Sequence, residues 1–206
     1  VWNDCARQIG QTQNDSVQRF RFQGVLPGKK QFSQFENVFH WLQKSSLIIK
    51  TYLVEKPEIP LSAYIKNSLF KAFIFDVGIL NALLQLSAET ILAPDPNTTK
   101  RFIAENFLAQ ELFAQGFDIL FSWEGKASQI EFLLEHQGKI LPVEVKSGTR
   151  TRAKSLMAYC AQFDPHCKFI FSLQPYSKNG NLIKIPLYAP DRLGSVLQEA
   201  FASPKA

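Results

Sequence analysis

The hydrophobic positions in the second half of the chain recur first with a helical period and then with the period of strands. Thr98 or Thr99 can cap the first helix, and Gly116 can end it. A helix, three strands, a second helix and a further strand in this order predict an α/β sandwich with a crossover connection. The predicted elements are a helix at 98–115, strands at 117–123, 128–136 and 139–146, a helix at 151–163, strands at 168–173 and 182–188, and a helix at 190–201.

The first hundred residues show a different pattern. Phenylalanines at helical spacing predict a helix over 32–44, and a run rich in β-branched residues predicts a strand over 47–54. A proline-punctuated turn follows, and together these features favour a small winged-helix-like region. A short strand and a buried helix come next, before the polar run "APDPNTT". We therefore predict a boundary near residue 97, between an amino-terminal region at 1–97 and an α/β domain at 98–206.

The sequence "HQGK" joins two of the predicted strands, and its central Gln-Gly pair predicts a two-residue turn. In the resulting hairpin His136 faces Lys139, and the same register places Glu131 opposite Glu144. Lys146 shares the face of Glu144, because strand side chains repeat every second residue. Like charges directly opposed destabilise a sheet, so the two glutamates need a counter-charge. Lys146 supplies part of it, and a divalent cation such as Mg²⁺ can supply the rest.

An alternative interpretation places Glu131 and Glu144 on a solvated polar face of the sheet. The apolar alternation of Ile130, Phe132 and Leu134 agrees with that alternative. A register error of one residue would also send one glutamate to the other face. We favour the site, because the face that carries the glutamates also carries apolar residues.

A third carboxylate, Glu105, lies on the apolar stripe of the first helix of the second half. Its helical neighbours on that stripe are Phe102, Ala109 and Leu112. An acid on an inward-facing stripe is unusual and makes Glu105 a further candidate, the alternative being a helix-edge residue that reaches water. Glu111 falls on another side of the helix and is predicted to be a surface charge.

A helix glutamate, a strand acid, and Glu-x-Lys on the next strand resemble the PD-(D/E)XK nuclease superfamily, whose fold is restriction-endonuclease-like. More narrowly, "FKAFIFDVGIL", "AENFLAQEL", "QIEFLL" and "LPVEVKSG" in this order are similar to the domain of unknown function 4143. The resemblance runs from about residue 20 to about residue 190 and is most specific at "IEFLL" and "VEVKSG". That domain forms the carboxy-terminal half of predicted AAA-type ATPases, so the resemblance implies an ATPase domain upstream in the full-length protein.

The resemblance also implies metal-dependent hydrolysis of DNA phosphodiester bonds. It places Glu105, Glu131, Glu144 and Lys146 in the catalytic site. Glu131 and Glu144 would hold Mg²⁺ or Mn²⁺, and Lys146 would orient or help deprotonate the attacking water. Where the family commonly has an acidic-apolar-Asp-Phe pattern, this chain has a longer acid, Glu131, and a neutral Gln129, which makes tight octahedral geometry less favourable. The alternative function is a catalytically degenerate module that binds nucleic acid or protein.

The formal net charge of +5 permits an anionic partner. The most basic stretch is "KSGTRTRAK", and Arg150, Arg152 and Lys154 are our candidates for contacts with nucleic-acid phosphates. The alternative is the solvated start of a helix. The stretch "GVLPGKK" lacks the spacing and the hydroxyl of a phosphate-binding P-loop, so no ATP site is predicted in this chain.

Three cysteines without a CxxC spacing argue against a disulfide framework and favour a reducing compartment, so the cytoplasm is the expected location. No run of about eighteen apolar residues is present, so no membrane span is predicted. The chain begins with Val1 and not with methionine, which indicates a piece of a longer protein.

Overall fold

The computed structural model describes residues 1–11, 16–93, 98–126, 128–148 and 153–202. Within these ranges the chain forms eight strands, which pair into one mixed sheet. The strands are β1 (Ile48–Val54), β2 (Ile65–Ile74), β3 (Leu120–Glu124), β4 (Gln129–His136), β5 (Lys139–Val145), β6 (Lys168–Ser172), β7 (Ser177–Asn179) and β8 (Leu182–Pro186). Their order in the sheet is β2-β1-β3-β4-β5-β6-β8-β7. Strands β5, β6 and β8 run parallel to one another, and β3, β4 and β5 are successively antiparallel.

Helices flank this sheet, and among the described residues there are seven of them. They are α1 (Trp2–Ile9), α2 (Glu36–Lys44), α3 (Val77–Leu83), α4 (Ala88–Leu92), α5 (Thr98–Ala114), α6 (Lys154–Phe163) and α7 (Leu193–Phe201). None of these described helices has the length and apolar character that a membrane crossing needs. The predicted α/β class, with a mixed sheet flanked by helices, is confirmed.

Alternation along the strands produces two apolar cores. Phe132 on β4 packs into the larger core, which contains Leu108 of α5. Leu133, the next residue of β4, packs into the smaller core with Leu156 of α6. The sheet is therefore buried on both faces, and a charged side chain on its central strands has little access to water.

The predicted hairpin is present between β4 and β5. Gln137 and Gly138 both have positive φ, +46° and +69°, as the tight two-residue hairpin loop requires. His136 pairs with Lys139, and the same register continues inward as far as Phe132 and Val143. The register predicted from the sequence is confirmed over this stretch.

The amino-terminal part of the chain joins the same sheet. Strand β1 pairs antiparallel with β2 and parallel with β3, so the sheet continues across residue 97. The helix predicted at 32–44 begins only at Glu36, after a 3-10 turn at Phe32–Gln34. The winged-helix-like region and the boundary near residue 97 stay predictions, and residues 94–97 lie outside the described residues.

Candidate functional site

Three glutamates and two lysines lie on α5 and on the sheet that it covers, and we call them the acidic cluster. Four of the five are almost fully buried, including Lys71, which is only 1% exposed. Lys146 is the member that reaches solvent, with 24% of its side chain exposed. The members are Lys71 on β2, Glu105 on α5, Glu131 on β4, Glu144 on β5 and Lys146 just after β5.

Helix α5 is held against the end of β2 by a buried asparagine. The Asn106 side chain accepts a hydrogen bond from the backbone N–H of Ile74 and donates one to its carbonyl, both at 2.9 Å. This two-way bond sets the neighbouring Glu105 against Lys71, three residues before Ile74 in the chain. Glu105 is buried, which agrees with its position on the apolar stripe of the helix.

Glu105 is surrounded by hydrogen-bond donors from the first half of the chain. The Lys71 ammonium donates to Oε1 of Glu105 at 2.6 Å, and the backbone N–H of Val17 donates to Oε2 at 2.8 Å. The Ser16 hydroxyl lies 3.3 Å from Oε2 and also accepts a hydrogen bond from Lys71 at 3.0 Å. Both oxygens of Glu105 are therefore engaged.

Glu131 lies in a β-bulge. Phe121 of β3 pairs with Leu133, and Trp123 pairs with Ile130, so one residue of β3 faces two residues of β4. One of those two residues is Glu131. Bulges re-aim side chains and are over-represented next to active sites. The ladder between β4 and β5 ends just before Glu131, so the direct pairing with Glu144 is not among the observed pairs.

Glu144 and Lys146 form an ion pair at the end of β5. The Lys146 ammonium lies 2.5 Å from Oε1 of Glu144. The backbone N–H of Lys146 donates to the carbonyl of Phe171 at 2.8 Å, which ties the end of β5 to β6. The Glu-x-Lys spacing thus places both charges on one side of the strand, as alternation requires.

The electrostatics of the cluster are dominated by burial. Burial raises the pKa of Glu131 well above its ordinary value, and the charges of Glu144 and Glu105 raise it further. Burial also raises the pKa of Glu144, although the adjacent Lys146 opposes that rise. The charge of Lys71 lowers the pKa of both acids as well, but burial is the largest cause of each shift.

Two carboxylate oxygens in the cluster lack hydrogen-bond partners. Oε2 of Glu131 and Oε2 of Glu144 are buried and accept no hydrogen bond from the residues that the structure describes. Mg²⁺ usually takes one or two carboxylates together with waters and substrate phosphate oxygens, and these two oxygens fit that donor set. Among the described residues, no three His, Cys, Asp or Glu side chains are grouped closely enough to hold a metal by themselves. Any cation here would therefore depend on water and substrate for its remaining ligands.

The sequence prediction brought together four of the five members of this cluster and missed Lys71. A signal for Lys71 was available, because it interrupts the apolar run "LFKAFIF" of a buried strand. Ser16 had no such signal, since only its contact with Glu105 distinguishes it. Of the residues predicted to contact phosphates, Lys154 is exposed at the start of α6, and Arg150 and Arg152 lie outside the described residues. The catalytic and phosphate-binding roles of all these residues stay predictions.

The comparisons with known families divide the chain into two parts. Residues 100–188 match the family model described as a domain of unknown function, DUF4143. The predicted similarity to domain 4143 is confirmed for that part, which contains Glu105, Glu131, Glu144 and Lys146. Residues 1–90 match a different model, also described as a domain of unknown function, DUF8612. Lys71 and Ser16 belong to this first part, so the acidic cluster draws on both matched regions.

No curated protein and no solved structure gave a significant match to the chain.

Proposed function

We propose that the chain carries a metal-dependent phosphodiesterase site of the PD-(D/E)XK type that acts on DNA. The observation that supports this proposal best is the pair of unpartnered, buried oxygens on Glu131 and Glu144. Such oxygens are costly to bury unless something binds them. The partial exposure of Lys146 beside Glu144 supports a water-orienting role for its ammonium group.

In this mechanism Glu131 and Glu144 would hold Mg²⁺ or Mn²⁺ through these two oxygens. The bound cation would stabilise the negative charge that develops on the phosphate. Lys146 would orient the attacking water, or help to remove its proton, from the side of the cluster that is open to solvent. Glu105 is already engaged by Lys71, Ser16 and Val17, so its role would be to shape the field around the other two acids.

The same proposal includes the type of fold, an upstream domain and the cellular location. A mixed sheet with Glu-x-Lys at the end of β5 supports the restriction-endonuclease-like fold. The similarity of residues 100–188 to DUF4143 supports an ATPase domain upstream in the full-length protein. We also propose a winged-helix-like fold for the amino-terminal region and a cytoplasmic location for the protein. Both proposals rest on the sequence pattern alone.

Cleavage assays with plasmid and single-stranded DNA in Mg²⁺ or Mn²⁺ test the proposed activity. We expect cleavage that Glu144→Ala and Lys146→Ala each reduce by at least about a hundredfold, since general acid–base and electrostatic groups contribute factors of this size. Lys178 and Glu199 form an exposed ion pair at 3.6 Å, so Lys178→Ala and Glu199→Ala are matched controls that should leave activity unchanged. Absence of both cleavage and calorimetric metal binding in the wild type would refute the activity.

The second candidate function is a non-catalytic module that binds nucleic acid or protein. It is favoured by the Lys146 ammonium, which is already paired with Glu144, and by the lack of a three-ligand group among the described residues. In that case a gel shift with DNA would weaken with salt, yet persist in EDTA and in Glu144→Ala. Binding that does not respond to salt would count against a phosphate-led contact.

A further inference from the structure

The carboxyl ends of three parallel strands form the edge of the sheet at which Lys146 lies. Beyond their ends, the chains that follow β5, β6 and β8 remain side by side. The backbone N–H of Leu173, after β6, donates to the carbonyl of Gly148, after β5, at 3.3 Å. The N–H of Leu187, after β8, donates to the carbonyl of Ser172 at 2.8 Å. In open α/β sheets, ligands bind outside the carboxyl ends of the strands, so this edge is the expected approach to the site.

Large apolar side chains are exposed along this edge. Tyr188 follows Leu187 directly and is 73% exposed, and Leu173 and Tyr176 are also exposed. We call the two tyrosines, together with Leu173, the aromatic rim. Neighbouring strands are about 4.8 Å apart, so the strand that leads to Tyr188 lies about 10 Å from the strand that leads to Lys146.

Positive charge accompanies the aromatic rim. Lys146, the first residue after β5, is partly exposed. Lys184 of β8 donates to the side chain of Gln174, the residue after Leu173, at 2.9 Å. Exposed rings beside ammonium groups are what proteins use to bind single strands, because bases stack on the rings while cations follow the backbone. In a duplex the base faces are stacked on one another, so much less base surface is available for stacking on the rings.

We propose that the aromatic rim stacks the unpaired bases of a single-stranded nucleic acid whose backbone passes Lys146. This inference rests on the proposed function and narrows its substrate class from DNA in general to single strands. Tyr188 is the principal stacking residue, because its ring is the more exposed of the two tyrosine rings.

Fluorescence anisotropy with a labelled oligothymidylate in EDTA tests the proposal without requiring cleavage. We expect Tyr188→Ala to weaken binding of the single strand about tenfold, within the range measured for base–aromatic stacking. Tyr188→Phe keeps the ring and should bind as the wild type does. Trp41→Ala is the matched control, because Trp41 is 61% exposed on α2, which packs on β1, near the opposite end of the strand order from β8. Circular dichroism checks that each variant is folded.

The outcomes separate this inference from the proposed activity. The inference is overturned if wild-type protein binds no single strand, if it prefers a duplex of equal length, or if Tyr188→Ala binds like the wild type. It is also overturned if Tyr188→Ala turns a dimer into a monomer in sedimentation, since the rim would then be covered by a second copy. Binding that depends on Tyr188, without any Glu144-dependent cleavage, would support the inference and refute the activity. Duplex cleavage that is lost in Glu144→Ala but unchanged in Tyr188→Ala would support the activity and refute the inference.

Discussion

Replacing Lys71 by methionine tests whether the acidic cluster depends on a counter-ion from the first half of the chain. Lys71 and Glu105 are both almost fully buried and lie 2.6 Å apart, so solvent screens their attraction very little. Removing one partner of a buried ion pair costs about 3–5 kcal/mol, because the other charge is left without compensation. Glu105 would keep the Val17 N–H and the Ser16 hydroxyl, which places the expected loss near the lower limit, at about 3 kcal/mol.

Urea denaturation of the metal-free protein, followed by circular dichroism, measures this loss. We expect a lower midpoint with an unchanged slope, and a melting temperature reduced by about 6–12 °C for a chain of this size. The double variant Lys71→Met/Glu105→Gln should recover most of the loss, since neither charge then remains buried alone. Lys50→Met is the matched control, because Lys50 is another buried lysine whose ammonium lies over four aromatic rings.

The control should lose less free energy of unfolding than Lys71→Met does, since a cation–π contact is worth about 1–2 kcal/mol. Burial also lowers the pKa of Lys50, so the loss of its charge is less costly. A free energy of unfolding for Lys71→Met within about 0.5 kcal/mol of the wild-type value, the range of ordinary surface substitutions, would show that the cluster does not depend on Lys71. A larger loss on adding Glu105→Gln would show that the unpaired charge of Glu105 is not its cause.

Three further predictions concern Glu131, Glu144 and Leu108. Folding raises the pKa of Glu131 above its ordinary 4.5, so the native state binds more protons than the unfolded state does. The native state therefore loses stability as the pH rises from 4.5 through the pKa of Glu131 in the folded protein. Glu131→Gln should therefore stabilise the metal-free protein by about 1–3 kcal/mol at pH 8 and by much less at pH 5, measured by urea denaturation; equal effects at both values would contradict this. Glu144→Ala should weaken Mn²⁺ binding at least about tenfold in calorimetry, a loss typical of changes near a metal, whereas Glu199→Ala should not. Leu108→Ala should cost about 2–5 kcal/mol in the same denaturation assay, because Leu108 is fully buried in the larger core; a loss below about 1 kcal/mol would show that this core is loosely packed.

Local patterns predicted the parts of the site that depend on local rules. The Gln-Gly turn determined the hairpin register, and strand alternation placed Glu144 and Lys146 on one side of β5. Helical spacing likewise placed Glu105 on the apolar stripe of its helix. In each case the deciding residues are a few positions apart in the chain, so their period alone is informative.

Contacts between distant segments could not be predicted in this way. The bulge at Glu131 depends on pairing with β3, and a periodic pattern does not reveal one extra residue in a strand. Lys71 and Ser16 meet Glu105 only because β1 and β2 join the sheet of the second half. Strand β7 is three residues long, and all three are polar and exposed, so it has no apolar alternation to detect.

A crystal structure of the protein soaked in Mn²⁺ would show whether the acidic cluster binds a cation. We expect anomalous density for one ion bound by Oε2 of Glu131 and Oε2 of Glu144, with Lys146 at the solvent side of the ion. An intact acidic cluster without any ion at saturating Mn²⁺, with Lys146 still paired to Glu144, would contradict this expectation.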